Sequence, residues 1–104
     1  MEFTGDENHS VSLKEASRWT RKYREEAGQG TIKGGFFGGN AVKQLLDQEK
    51  AVGLRYYYGI NDEDQPVLIL VGVDNEGRDL VSGYVAELSG LCPPDCDNLS
   101  PLNG

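Results

Sequence analysis

The chain is poor in the residues that most often carry chemistry, with one histidine and two cysteines among 104 residues. The histidine, His9, lies in a polar stretch near the start, and it alone does not support a Ser-His-Asp or Cys-His arrangement. Two cysteines and one histidine also fall short of the four ligands of a structural zinc site. The composition therefore favours a protein that is not an enzyme, unless a second subunit completes a site.

Long apolar runs are absent as well. The longest, residues 67–73, has the length of a β-strand, whereas a membrane-spanning helix needs about 20 apolar residues. We therefore expect no membrane partner. The first ten residues, MEFTGDENHS, show no basic segment followed by an apolar core. No secretory signal is visible in them, and we expect a cytoplasmic protein.

The charge is acidic and unevenly distributed. A formal net charge of −7 argues against nucleic-acid binding, because the phosphate backbone repels an acidic protein. Five of the ten basic residues nevertheless lie close together, at Lys14, Arg18, Arg21, Lys22 and Arg24. Such a cluster is typical either of a solvated helix face or of a polar interface. Arg18 and Arg21 are therefore candidate interface residues.

Two helices are predicted in the first half of the chain. Ser12 and Glu15 have the spacing of a capping box, and the helix that they open ends at Gly28. Leu13 and Tyr23 belong to a stripe with helical spacing, which predicts a buried face. A short strand is predicted within the glycine-rich residues 32–37. A second helix is predicted at about 40–50, with Asn40 as its N-cap.

The second half of the chain reads as β-strands. Residues 52–60 alternate, which predicts that Tyr56 and Tyr58 face the core while Arg55 and Tyr57 face the other way. The apolar residues 67–73 are predicted to be the central strand. The turn DNEG at 74–77 predicts a hairpin that returns as a third strand at 78–81. Residues 82–91 fit a helix or a strand.

These elements predict an α+β fold in the order α-β-α-β-β-β. We expect an antiparallel sheet of three to four strands with two helices packed on one face. The predicted organisation is a disordered tail at residues 1–10, one domain at 11–91 and a loop with cysteines and prolines at 92–104.

The segments GFF, GLRYYYG, VLILVGVDNEGRDL and CPPDC, which span about residues 30–96, resemble a family of small uncharacterised bacterial proteins. The resemblance implies a bacterial, cytoplasmic origin. It implies no activity, cofactor or site residue.

The motif CPPDC places Cys92 and Cys96 four residues apart, with two prolines that restrict the backbone between them. Three outcomes are open. The thiols form a disulfide or redox pair, they bind a metal, or they stay reduced as is usual in the cytosol. Zinc would need four cysteines from two chains at a dimer axis. No other cofactor is expected.

Arg55 and Tyr57 are the strongest candidates for a contact patch, because arginine and tyrosine are enriched at interface hot spots. The acidic residues Asp74, Glu76 and Asp79 do not complete a calcium loop, so we interpret them as charges that keep the hairpin turn soluble. The leading hypothesis is a non-enzymatic interaction or accessory module that forms a homodimer or binds a protein partner. The alternatives are a thiol-based metal or redox protein using Cys92 and Cys96, and an enzyme with a composite site between subunits.

Overall fold

A computed structural model describes residues 2–103. Its elements are α1 (Leu13–Ala27), β1 (Gly34–Phe36), α2 (Gly39–Leu46), β2 (Gly53–Ile60), β3 (Pro66–Val73), β4 (Val85–Glu87) and β5 (Ser89–Cys92). β2, β3 and β4 form a three-stranded antiparallel sheet in that spatial order, and β1 pairs with β5. The predicted α+β class and element order are confirmed, and β5 follows as a further strand.

Two compact units make up the chain. The first comprises the residues up to Glu7 together with Phe36–Ser89, and it contains α2 and the three-stranded sheet. The second comprises Asn8–Gly35 and the residues from Gly90 onward, and it contains α1. The domain boundaries predicted at residues 10 and 91 stay predictions.

α2 packs against the three-stranded sheet at one end of β3. Leu45 of α2 is completely buried. Gly72 of β3 lies beneath the helix, where a Cβ atom would come within 2.7 Å of Gln48 Nε2 and 3.3 Å of Leu45 O. A glycine at position 72 therefore permits this close approach. The N-cap of α2 is Gly38 rather than the predicted Asn40, because the Gly38 carbonyl accepts from Ala41 N and Val42 N.

β3 is the central strand, as its continuous apolar sequence predicts. Val67, Val71 and Val73 keep 7%, 4% and 2% of their surface exposed. The predicted third strand at 78–81 is wrong, because only Asp79 forms a bridge there, to Val73. Gly83 N donates to Leu80 O at 3.1 Å, so the chain turns after Leu80 and returns as β4. The sequence of residues 82–91 fits a helix or a strand, and the structure has two strands there, β4 and β5.

Two predictions of buried faces are wrong. On β2, Tyr56 and Tyr58 are 55% and 82% exposed, and α2 lies over Gly72, which pairs with Leu54 near the other end of the strand. On α1, Ser17 is the buried residue, whereas Leu13 and Tyr23 are 58% and 52% exposed. The helix itself begins and ends where predicted, with Ser12 Oγ accepting from Glu15 N at 3.1 Å and Gly28 as its C-cap.

Candidate functional site

β2 lies at one edge of its sheet and pairs with β3 along its whole length. The register runs without a bulge from Gly53 opposite Val73 to Ile60 opposite Pro66. Among residues 2–103, no strand pairs with the opposite side of β2. This edge strand contains no proline, lysine or bulge, which are among the usual devices that prevent pairing with another chain.

The hydrogen-bond pattern shows which backbone groups face this edge. Asn61 N donates to Gln65 O, its register partner, at 2.9 Å, so the odd-numbered residues of β2 are those that bond to β3. Consistently, Leu68 O and Gly72 O of β3 accept from the other side, from Leu88 N and Leu80 N. Backbone bonding alternates along an antiparallel strand. The N–H and C=O groups that point away from β3, here termed the outer edge, belong to Leu54, Tyr56, Tyr58 and Ile60.

The side chains of the same four residues form one face of β2, here termed the tyrosine face. Exposure rises from 36% at Leu54 to 55% at Tyr56 and 82% at Tyr58, and it remains high, at 76%, at Ile60. The Tyr56 and Tyr58 rings meet edge to face with centroids 5.6 Å apart. This is a favourable aromatic geometry. The tyrosine face is thus an ordered apolar surface and carries no charged side chain.

The opposite face of β2 carries Arg55 and Tyr57, and the structure brings these two predicted residues together on Asp79. Arg55 Nη1 donates to Asp79 Oδ1 at 2.5 Å and to Gly77 O at 3.0 Å. The Tyr57 hydroxyl donates to Asp79 Oδ2 at 2.5 Å. Both carboxylate oxygens of Asp79 are therefore engaged, and they tie β2 to the turn that follows β3.

This cluster changes the ionisation of its members. The hydrogen bonds from Tyr57 and then from Arg55 stabilise the carboxylate and hold the pKa of Asp79 below its ordinary value of 3.8. The same bond to the carboxylate raises the pKa of Tyr57 above 10.0. A tyrosine whose proton is held more tightly is a poor nucleophile or base at neutral pH. The cluster is suited to holding β2 in place.

The N-terminal segment of the first unit contacts the same cluster. The Arg55 guanidinium lies 5.9 Å from the centroid of the Phe3 ring, within the range of a cation–π contact. Phe3 N donates to Asn75 O at 2.9 Å. Arg55 is thereby held from both sides, and its side chain keeps only 29% exposure.

The other predicted interface residues, Arg18 and Arg21, lie on α1 in the second unit. Arg18 donates to Glu15 Oε1 one turn earlier, an exposed ion pair of the kind that contributes little to stability. Arg21 is exposed and makes no hydrogen bond or ion pair within residues 2–103. A role for either residue in an interface stays a prediction.

Cys92 and Cys96 are joined by a disulfide, with Cα atoms 4.8 Å apart. Of the outcomes open from the sequence, the structure thus shows the disulfide. In this state neither sulfur is a thiolate, so the proposed metal site applies only to the reduced chain. Among residues 2–103, no group of three or more histidine, cysteine or acidic side chains is placed to hold a metal ion. The zinc site shared between two chains stays a prediction.

One cavity in the second unit, of about 460 Å³, lies at the C-terminal end of α1. Tyr23, Arg24, Gly28, Lys33 and Pro93 are among its lining residues. The two cations attract an anion, but the negative end of the α1 dipole opposes one. Arg24 Nη1 is also occupied, because it donates to Leu102 O at 2.5 Å. Within the described residues, its lining contains no carboxylate, histidine or cysteine side chain.

Sequence reasoning missed Asp79 and the tyrosine face. Asp79 bonds to residues that are 22 and 24 positions away in sequence, and only the sheet register places them together. The exposure of Tyr56 and Tyr58 depends on how far α2 reaches across the sheet. The run of three tyrosines on an uninterrupted strand is the available signal, but its alternation does not show which of the two faces is exposed.

No family model, curated protein or solved structure matches this chain. The family resemblance of the sequence therefore stays a prediction. Within residues 2–103, no helix has the length and apolar character needed to cross a membrane.

Proposed function

We propose that this chain is a non-enzymatic protein-interaction module that binds another polypeptide at the outer edge and tyrosine face of β2. The observation that carries the proposal is the combination of an edge strand eight residues long with an exposed apolar face. Backbone groups at a sheet edge accept an added strand, and side chains beside the edge select which strand is accepted. Tyrosine and other aromatic residues are enriched in such interfaces.

In this proposal Arg55 and Tyr57 act by holding β2. Their bonds to Asp79 tie the strand to the turn that follows β3, so that less conformational freedom is lost when a partner binds. This refines the sequence-based prediction, in which the two residues were themselves the contact patch. Tyr57 is still 47% exposed and can also contribute to a contact beside the strand.

Site-specific photo-crosslinking in the cells that make the protein tests the proposal. Replacing Tyr58 by p-benzoylphenylalanine puts the reactive group on the tyrosine face. The matched control carries it at Val81, which is 73% exposed but lies in the turn before β4. We expect a covalent adduct of defined mass from position 58 and not from position 81. Equal yields at the two positions, or no adduct, would contradict the proposal.

The disulfide supports a second candidate, a thiol-based redox or metal-binding protein. Closing so small a loop contributes at most about 2 kcal/mol in the chain-entropy model, so stability alone is a weak reason for the pair. If the reduced chain binds zinc, a dimer with four thiolates would hold it and a Cys92→Ser, Cys96→Ser variant would not. An enzyme with a composite site between subunits is a third hypothesis, which no cluster of residues described above favours.

A further inference from the structure

We infer that the polypeptide bound at the outer edge is a second copy of this chain, paired antiparallel, β2 to β2, about a two-fold axis at Tyr57. This inference rests on the proposed function and names its partner. The result is one continuous antiparallel sheet of six strands across two subunits. A two-fold axis perpendicular to the sheet leaves each face of β2 on the same side in both copies.

The backbone of β2 is complementary to itself in this register. The outward-facing residues are the even-numbered ones, and an antiparallel pairing that centres on Tyr57 places even residues opposite even residues. Leu54 then meets Ile60 of the second copy, and Tyr56 meets Tyr58. The next registers that pair even residues with even residues are shifted by two residues. In each of them one outward-facing residue of β2 has no outward-facing residue of the second copy opposite it. The centred register makes the most hydrogen bonds.

The side chains suit the same register. Tyr56 of one copy lies beside Tyr58 of the other, which extends the edge-to-face tyrosine contact already present within the chain. Leu54 and Ile60 form the flanking apolar pairs. On the opposite face, Arg55 is placed across from Gly59, which has no side chain to obstruct it. The two copies of Arg55 are therefore kept apart.

The charge distribution along β2 permits a second copy there, although the chain as a whole is acidic. Each chain carries a net charge of −7, but β2 contains no acidic residue and its single cation already pairs with Asp79. The acidic turns lie beyond the ends of the strand, at residues 62–64 and 74–76. Two copies can thus pair along β2 without bringing like charges directly opposite one another.

A proline substitution separates backbone pairing from side-chain contact. Tyr56→Pro removes an outward N–H while leaving the bonds to β3 intact, and Tyr56→Ala removes the ring while keeping that N–H. By sedimentation velocity over low micromolar to millimolar protein, we expect wild type to dimerise. Tyr56→Pro should weaken the dimer by about 100-fold or more, and Tyr56→Ala by about tenfold or less. Equal weakening by both, with the fold intact by circular dichroism, would overturn pairing through the edge.

A wild-type experiment covers the case in which the proline variant does not fold. In an equal mixture of isotope-labelled and unlabelled chains, the register predicts an intermolecular nuclear Overhauser effect between the Hα atoms of Tyr57 in the two copies. A wild type that stays monomeric throughout would overturn the second-copy inference alone, provided that position 58 crosslinks to a different protein in cells. Failure of both experiments would overturn the proposed function as well.

Discussion

β2 and β3 are neighbouring strands of equal length in one sheet, yet one is open and the other buried. Val71 of β3 is 4% exposed, whereas Tyr58 and Ile60 of β2 are 82% and 76% exposed. Both sequences are rich in β-branched or aromatic residues. The difference arises from position in the sheet, because β3 has a strand on each side, while β2 has one neighbour. An apolar strand pattern therefore does not by itself indicate which face the rest of the chain covers.

The largest expected effect on stability comes from truncating a side chain that is buried between α2 and the sheet. Leu45→Ala leaves a cavity where α2 meets the sheet, and such changes cost about 2–5 kcal/mol. The matched change on the open strand, Ile60→Ala, should alter stability by about 0.5 kcal/mol or less when the chain is monomeric. Chemical denaturation at low protein concentration measures both. Similar losses from both variants would show that Ile60 is packed within one chain.

A smaller and pH-dependent effect is expected from the cluster that holds β2. The Asp79 pKa is lower in the folded chain than its ordinary value of 3.8, so its contribution to stability is present above that pH and is lost as the pH falls through the folded value. The Tyr57 pKa is raised, so its contribution is present below pH 10.0 and is lost as the pH rises through the folded value. Both contributions should disappear in Asp79→Asn.

Denaturation curves across the acid and alkaline ranges check this prediction. Asp62→Asn is the matched control, because it removes an exposed carboxylate from a different turn of the same unit. The stability difference between wild type and Asp79→Asn should be largest at neutral pH and should shrink towards both extremes. A difference that does not vary with pH would mean that Asp79 acts through packing rather than through its charge.

Local features of the fold could be predicted from sequence because they depend on residues close together in the chain. Ser12 caps α1 through Glu15 N, and Gly77 adopts positive φ in the predicted hairpin turn. β3 could be assigned because its apolar run is continuous. These assignments require only the preferences of a few adjacent residues for capping, turning or extended backbone.

The covered and open faces could not be predicted, because they depend on distant parts of the chain. Whether Tyr58 is buried depends on how far α2 extends over the sheet. The role of Asp79 depends on a register that places it beside Arg55. Period-two alternation is the same for either orientation of a strand, so sequence alone left the two faces of β2 interchangeable.

Residue-resolved amide hydrogen exchange of the wild-type chain at low and high protein concentration tests the role of β2 most directly. The N–H groups of Arg55, Tyr57 and Gly59 bond to β3 and should be protected at both concentrations. Those of Leu54, Tyr56 and Ile60 face the outer edge and should exchange rapidly in dilute solution and become protected at high concentration. Exchange from these three that stays rapid throughout, or protection already present in dilute solution, would contradict a β2 edge that pairs with a second copy.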